Sequence, residues 1–142
     1  MQVKSFEFEC KRVLLGRLEK GDDVLEGLTE FCVQHGVAAG SIQALGLVQR
    51  GRLRFYDQAT ASHHEIEFEQ GMEIVSLVGN ISSKDGDVFL HCHAVLADRQ
   101  GRCFGGHLIS GNIAFVCEFA IIALEGPVPE RTYDEATGLT MW

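Results

Sequence analysis

Two histidines stand two residues apart in Phe89-Leu90-His91-Cys92-His93-Ala94-Val95-Leu96, and a third, His107, follows Gly105-Gly106. In an extended strand, residues at i and i+2 project from one face. His91 and His93 therefore share a side with Phe89 and Val95, while Leu90, Cys92, Ala94 and Leu96 take the other. The uniformly apolar set marks the core side. The segment Asp98-Arg99-Gln100-Gly101 reads as a turn that folds the next strand back antiparallel. A register centred near Arg99 or Gln100 then sets His107 opposite or diagonal to His93. Gly105-Gly106 remove two side chains there, which is expected to leave open space beside the imidazole nitrogens for a water or ligand. Neutral imidazoles suit zinc, copper, nickel or iron. Three protein ligands with a vacancy suit water activation or the binding of a small anion, whereas a structural site would use four. The competing reading is that these are ordinary polar residues of a half-exposed strand, or a pH-sensitive contact between subunits.

The remaining candidates are weaker. Glu118 lies in the apolar run Ile113 to Leu124, where a carboxylate needs a partner to offset its desolvation. Two partners are equally open: a ligating imidazole, with Glu118 behind the metal ligands, or an arginine such as Arg12, Arg52 or Arg54. Adjacent His63 and His64 point to opposite faces of a strand and do not readily share one metal. His35 falls at the end of a helix, where a cation suits the dipole and no chemistry is needed. No serine or cysteine nucleophile adjoins a histidine in a recognised motif. The glycines around His107 are flanked by strands rather than by a helix N-terminus that could cradle an anion.

The elements that must position these residues follow from periodicity. Ser5 to Leu18 alternates like a strand. Val24, Leu25, Leu28, Phe31 and Cys32 fall at helical spacing, which predicts a helix over about 22–35. Asp22 or Asp23 can cap its start, Glu26 can complete a capping box and Gly36 can end it. Strand-length runs follow at about 38–48, 53–56, 64–68, 73–80, 88–97, 103–110 and 112–124, separated by short turns that favour antiparallel neighbours. The fold class is therefore α+β, a largely antiparallel sheet or barrel-like domain carrying one main amphipathic helix. The runs 113–124 and 73–79 are apolar on both faces. Either one face meets another subunit in a homo-oligomer, or a barrel interior and the helix bury both within a monomer.

A chain of 142 residues suits a single domain over 1–142, with its core at about 5–124 and a C-terminal tail at 125–142. No stretch of about 18 uncharged apolar residues occurs, and the first residues lack the basic start and apolar run of a secretion signal. A cytoplasmic location is expected, with no membrane contact. The five cysteines are widely spaced and lack a C-x-x-C pair, which argues for reduced thiols. A formal charge of −8 opposes direct binding to DNA, which depends on many Lys and Arg contacts with phosphate.

The ordered set Gly21-Asp22-Asp23, Phe31-Cys32-x-x-His35-Gly36, Ala39-Gly40-Ser41-Ile42, Ser76-Leu77-x-Gly79-Asn80-Ile81, His91-x-His93 and Gly105-Gly106-His107-Leu108 resembles the plant-and-prokaryote-conserved (PPC) domain, in its prokaryotic stand-alone form. The resemblance runs from about Arg12 to Leu124. It implies an α+β fold with one helix, assembly as a homotrimer, and zinc ligation by His91, His93 and His107. In plants the domain accompanies AT-hook motifs in nuclear proteins and serves protein contact, and prokaryotic members carry a DNA-binding label by that association. This chain departs from the plant pattern. Gln49-Arg50-Gly51-Arg52-Leu53 has Arg-Gly-Arg but no following proline or free basic extension, and reads as a solvated turn. The segment corresponding to plant partner contact, Gly71 to Leu77, matches only approximately. Cupins also carry His-x-His, but with a glutamate a few residues later, and here that region reads Val95-Leu96-Ala97-Asp98-Arg99.

Taken together, the sequence points to a homotrimeric domain holding a divalent metal, zinc by the resemblance, and taking a small ligand or protein partner without turnover. The alternatives are a DNA-associated regulatory protein and a metal-dependent enzyme that activates water, with Glu118 or another carboxylate assisting proton transfer.

Overall fold

The computed structural model describes residues 3–142. Strand β1 (Glu9–Leu18) leads to helix α1 (Val24–Gln34). After the helix come β2 (Gly40–Asp57), β3 (Ser62–Phe68), β4 (Met72–Lys84), β5 (Asp87–Ala97), β6 (Cys103–Leu108), β7 (Ile113–Glu125), β8 (Glu130–Asp134) and β9 (Leu139–Met141). The helix begins where Asp23 accepts hydrogen bonds from the backbone N–H of Leu25 and Glu26 at 3.0 and 3.1 Å. It ends as Gly36 turns to φ +61°. In place of the expected capping box with Glu26, the second oxygen of Asp23 accepts from the Gly111 N–H at 2.6 Å, tying the helix start to the connection before β7.

The sheet order is β1-β7-β2-β6-β5-β4-β8-β9, with β3 paired to β2. Its two ends are distinct strands, so the sheet stays open rather than closing into a barrel. Pairing is antiparallel throughout except between β4 and β8. The two runs expected at 38–48 and 53–56 are one 18-residue strand, β2. Its first half lies between β4 and β7, and its second half meets β3 and β6. The change of partners is accommodated by bulges around Gly46, whose φ of +147° and approach to the Val116 carbonyl admit only glycine. The Arg-Gly-Arg sequence at 50–52 is therefore strand rather than turn.

One face of the sheet is covered by α1. Val24, Leu28 and Cys32 of the helix are buried together with Ile42, Leu77, Cys92, Ala94, Cys117, Phe119 and Ile121. Phe31 meets Phe119 edge to face, with ring centroids 4.8 Å apart. The other face carries His91 and His93, as the strand parity predicts. The segment 125–142, read from sequence as a tail, adds β8 and β9, and β8 runs parallel to the end of β4. No helix among the described residues is long and apolar enough to cross a membrane.

A candidate metal centre

In β5 and β6 the hairpin register pairs His93 with His107 directly, and one strand further Asn80 of β4 pairs with His91. The ring centroids of the three histidines form a near-equilateral triangle of 5.3, 5.0 and 5.4 Å. One ligand nitrogen from each lies within 4.8 Å of the other two. A tetrahedral ion bound at about 2.0–2.1 Å needs nitrogens about 3.3 Å apart, a spacing that lies inside that limit.

The surroundings hold two of these rings neutral. Burial, the guanidinium of Arg131 and the neighbouring His93 push His91 below the usual histidine range. Burial first, then His91, His93, Arg54 and His63, push His107 down to about 4. A neutral imidazole keeps a lone pair on one nitrogen, which is the form a metal ligand requires. The donor set therefore fits a borderline divalent ion such as zinc.

The glycines before His107 play different parts. A Cβ on Gly105, which shares the histidine face, would meet only Ala94 and Val95 at 3.7 and 3.8 Å. A Cβ on Gly106 would press on the Arg54 carbonyl and the Leu53 side chain at 3.0 and 3.2 Å. Gly106 thus lets β6 approach β2 rather than opening space at the nitrogens.

The other candidates are not brought to the cluster. Glu118 is exposed on β7, opposite Arg17 and Leu45, and among the described residues it makes no ion pair. Its three proposed arginines are engaged elsewhere. Arg54 pairs with Glu65 at 2.9 Å, Arg52 pairs with Glu65 and with Glu67, and Arg12 donates to the His35 carbonyl. The desolvation that called for a partner is absent in the single chain. His64 lies 4.0 Å from Asp57, and His63 rests against Tyr56 with centroids 5.0 Å apart. His35 stacks on Phe31 at 4.0 Å, its Nδ1 2.9 Å from the Phe31 carbonyl oxygen. All five cysteines are free.

Two residues at the cluster had no part in the sequence reading of the site. Arg131 reaches it from β8, its Nη2 3.5 Å from His91 Nδ1 and 2.7 Å from Asn80 Oδ1. Asn80 falls within one of the resemblance motifs, so a signal for it existed. For Arg131, in a short polar strand, there was none.

Comparison with known proteins agrees with this architecture. A metal-containing protein from Archaeoglobus fulgidus superposes with a TM-score of 0.94 at 39% identity, covering 99% of both chains. A plant- and prokaryote-conserved protein from Pyrococcus horikoshii superposes with a TM-score of 0.89 at 30% identity, covering 100% of this chain and 96% of that one. In sequence, 113 residues are 32% identical to the bifunctional protein GlmU of Synechococcus sp. (strain JA-3-3Ab). That match takes in 79% of this chain but spans only 17% of the relative's length. Residues 5–125 match the family model of the Plants and Prokaryotes Conserved domain, and the chain belongs to that PCC, or PPC, family.

Proposed function

We propose that the chain is a metal-binding PPC-domain protein in which His91, His93 and His107 hold one divalent ion, zinc, with a coordination position left for a small ligand. The observation that carries this reading is the convergence of three imidazoles, two of them held neutral, with no fourth His, Cys, Asp or Glu ligand grouped with them among the described residues. Three ligands and a vacancy are the pattern of a site that binds or polarises something rather than one that staples a fold. The relative from Archaeoglobus fulgidus, described as metal-containing, supports it. When bound, such an ion acts as a Lewis acid toward an oxygen ligand. This chain's residues position the three imidazoles and keep His91 and His107 unprotonated.

The protein works as a homotrimer in the cytoplasm, where its five free thiols remain reduced. Metal analysis of protein purified without a histidine tag tests the central claim. We expect about one ion per chain in the native protein. His107→Ala should retain less than about a tenth of it, because two imidazoles bind far more weakly than three. Metal content that is negligible in the native protein, or unchanged by the substitution, would overturn the reading.

A further inference from the structure

Arg131 and Asp98 are the buried charges among the described residues, and they are treated differently. Asp98 has its opposite charge in Arg102 at 2.6 Å. Arg131 has none: no carboxylate lies within ion-pair distance of it among the described residues. Its guanidinium donates only to neutral oxygens, Ser82 Oγ at 2.8 Å, Asn80 Oδ1 at 2.7 Å and the Thr140 carbonyl at 3.3 Å. The faces of Phe89 and Trp142 lie 5.3 and 5.8 Å from it. A buried cation held this way is costly unless a negative charge completes its surroundings, and a guanidinium cannot escape the cost by losing its proton. Its Nη2, which donates to Asn80, also lies 3.5 Å from Nδ1 of His91, a member of the histidine cluster.

A second guanidinium stands on the opposite side of the cluster. Arg54 is the cross-strand neighbour of His107. It is already paired with Glu65, but its Nε is buried and without a partner. Three neutral imidazoles bring no negative charge to a bound dication. A loaded site would therefore combine the ion's double charge with that of Arg131 and hold no carboxylate of its own, although the chain as a whole carries −8.

We propose that the site takes a small oxyanion, a carboxylate or a phosphate, with one oxygen on the ion's open position and Arg131 supplying the balancing charge that selects for it. This rests on the metal reading above. Arg131 is a specificity-determining residue: it favours an anion over a neutral ligand of similar size through charge-assisted attraction in a partly desolvated site.

Cobalt-loaded protein tests it, because the visible absorption of cobalt(II) reports changes in its ligands without any assay of activity. Oxalate, inorganic phosphate and neutral imidazole are titrated into the native protein, Arg131→Gln and Arg131→Lys. We expect oxalate or phosphate to bind about tenfold or more weakly to Arg131→Gln, with Arg131→Lys in between and imidazole affinity unchanged. A response to oxalate alone assigns a carboxylate, and one to phosphate alone assigns a phosphate ligand. Cobalt itself should bind Arg131→Gln at least as tightly as the native protein, since a repelling charge has gone. Oxyanion affinities equal in all three proteins, or imidazole falling in parallel with them, would overturn the proposal and leave the metal site standing. If Arg131→Gln does not load cobalt, the native protein decides: a preference for imidazole over both oxyanions overturns the proposal. Failure of the native protein to bind cobalt overturns the metal reading and this one together.

Discussion

His107 has its pKa displaced to about 4 by burial, by the other two imidazoles, and by Arg54 and His63. In the metal-free protein that displacement has a stability consequence with a definite sign. Below about pH 6.5 the unfolded chain takes up a proton on this residue that the folded chain refuses until about pH 4, so stability falls across that window and levels below it. Discounted for the half-buried position, the loss amounts to about 1–2 kcal/mol, and His91, shifted the same way, adds to it. Urea midpoints of metal-free protein at about pH 7 and about pH 4.5 should show it, with the difference smaller in His107→Gln, which has nothing to protonate. Equal differences between the two pH values in the native protein and in His107→Gln would count against the environment described here. The three histidines were legible in the sequence because the side-chain period in a strand is two and the hairpin turn sits midway between His93 and His107. Glu118 was misjudged for a physical reason. Its place in an apolar run suggested burial, yet its neighbours Cys117 and Phe119 are buried on the helix-covered face while Glu118 itself lies on the face that the single chain leaves open.

Asn112, just before β7, is the residue that holds several elements in register around β6. It is 1% exposed. Its side chain accepts from the Arg52 N–H at 2.9 Å and donates to the carbonyls of Arg52 and Ile109 at 2.8 and 2.6 Å. Its own carbonyl accepts from Val24 N–H, the first residue of α1, at 2.8 Å. Asn112→Ala therefore leaves buried donors and acceptors in β2 and the β6–β7 connection without partners, and should cost about 2–4 kcal/mol in urea denaturation. Asp23→Ala, which removes the helix cap and the bond to Gly111, should cost about 1–2 kcal/mol by the same measurement. Equal or negligible losses would show that β6 is held by its ladder alone. Elements with strong periodicity, α1 and strands β4 to β7, could be read from the sequence to within a few residues. The chain from 125 onward could not. Its strands are five and three residues long and preceded by Pro127 and Pro129, so neither alternation nor length distinguishes them from a loop. That short hairpin nevertheless delivers Arg131.

Across the whole sheet, the registers place Leu15, Ala120, Gln43, Val78, His93 and His107 in one transverse row from β1 to β6 on the face opposite α1. Around that row Leu15 is 79%, Leu45 57% and Val78 56% exposed, and Val13, Val75 and Ile122 are open as well. Scattered exposed aliphatics are ordinary, but a contiguous set on one sheet face marks an association surface. The doubly apolar strands seen in the sequence have one face under the helix and the other open in the single chain. Val78 and His93 are cross-strand neighbours, so the proposed trimer contact borders the histidine cluster while all three histidines come from one chain. The two properties can therefore be separated. Leu45→Lys puts a charge into the apolar face without touching the histidines or their cross-strand partners. In light scattering the native protein should have about three times the chain mass of 15.6 kDa, and the variant should fall toward that mass. Zinc content per chain should persist in the dissociated variant. A native protein of single-chain mass would remove the trimer. Loss of zinc on dissociation, with folding intact by circular dichroism, would mean that neighbouring copies complete the site, contrary to the geometry of His91, His93 and His107 within one hairpin.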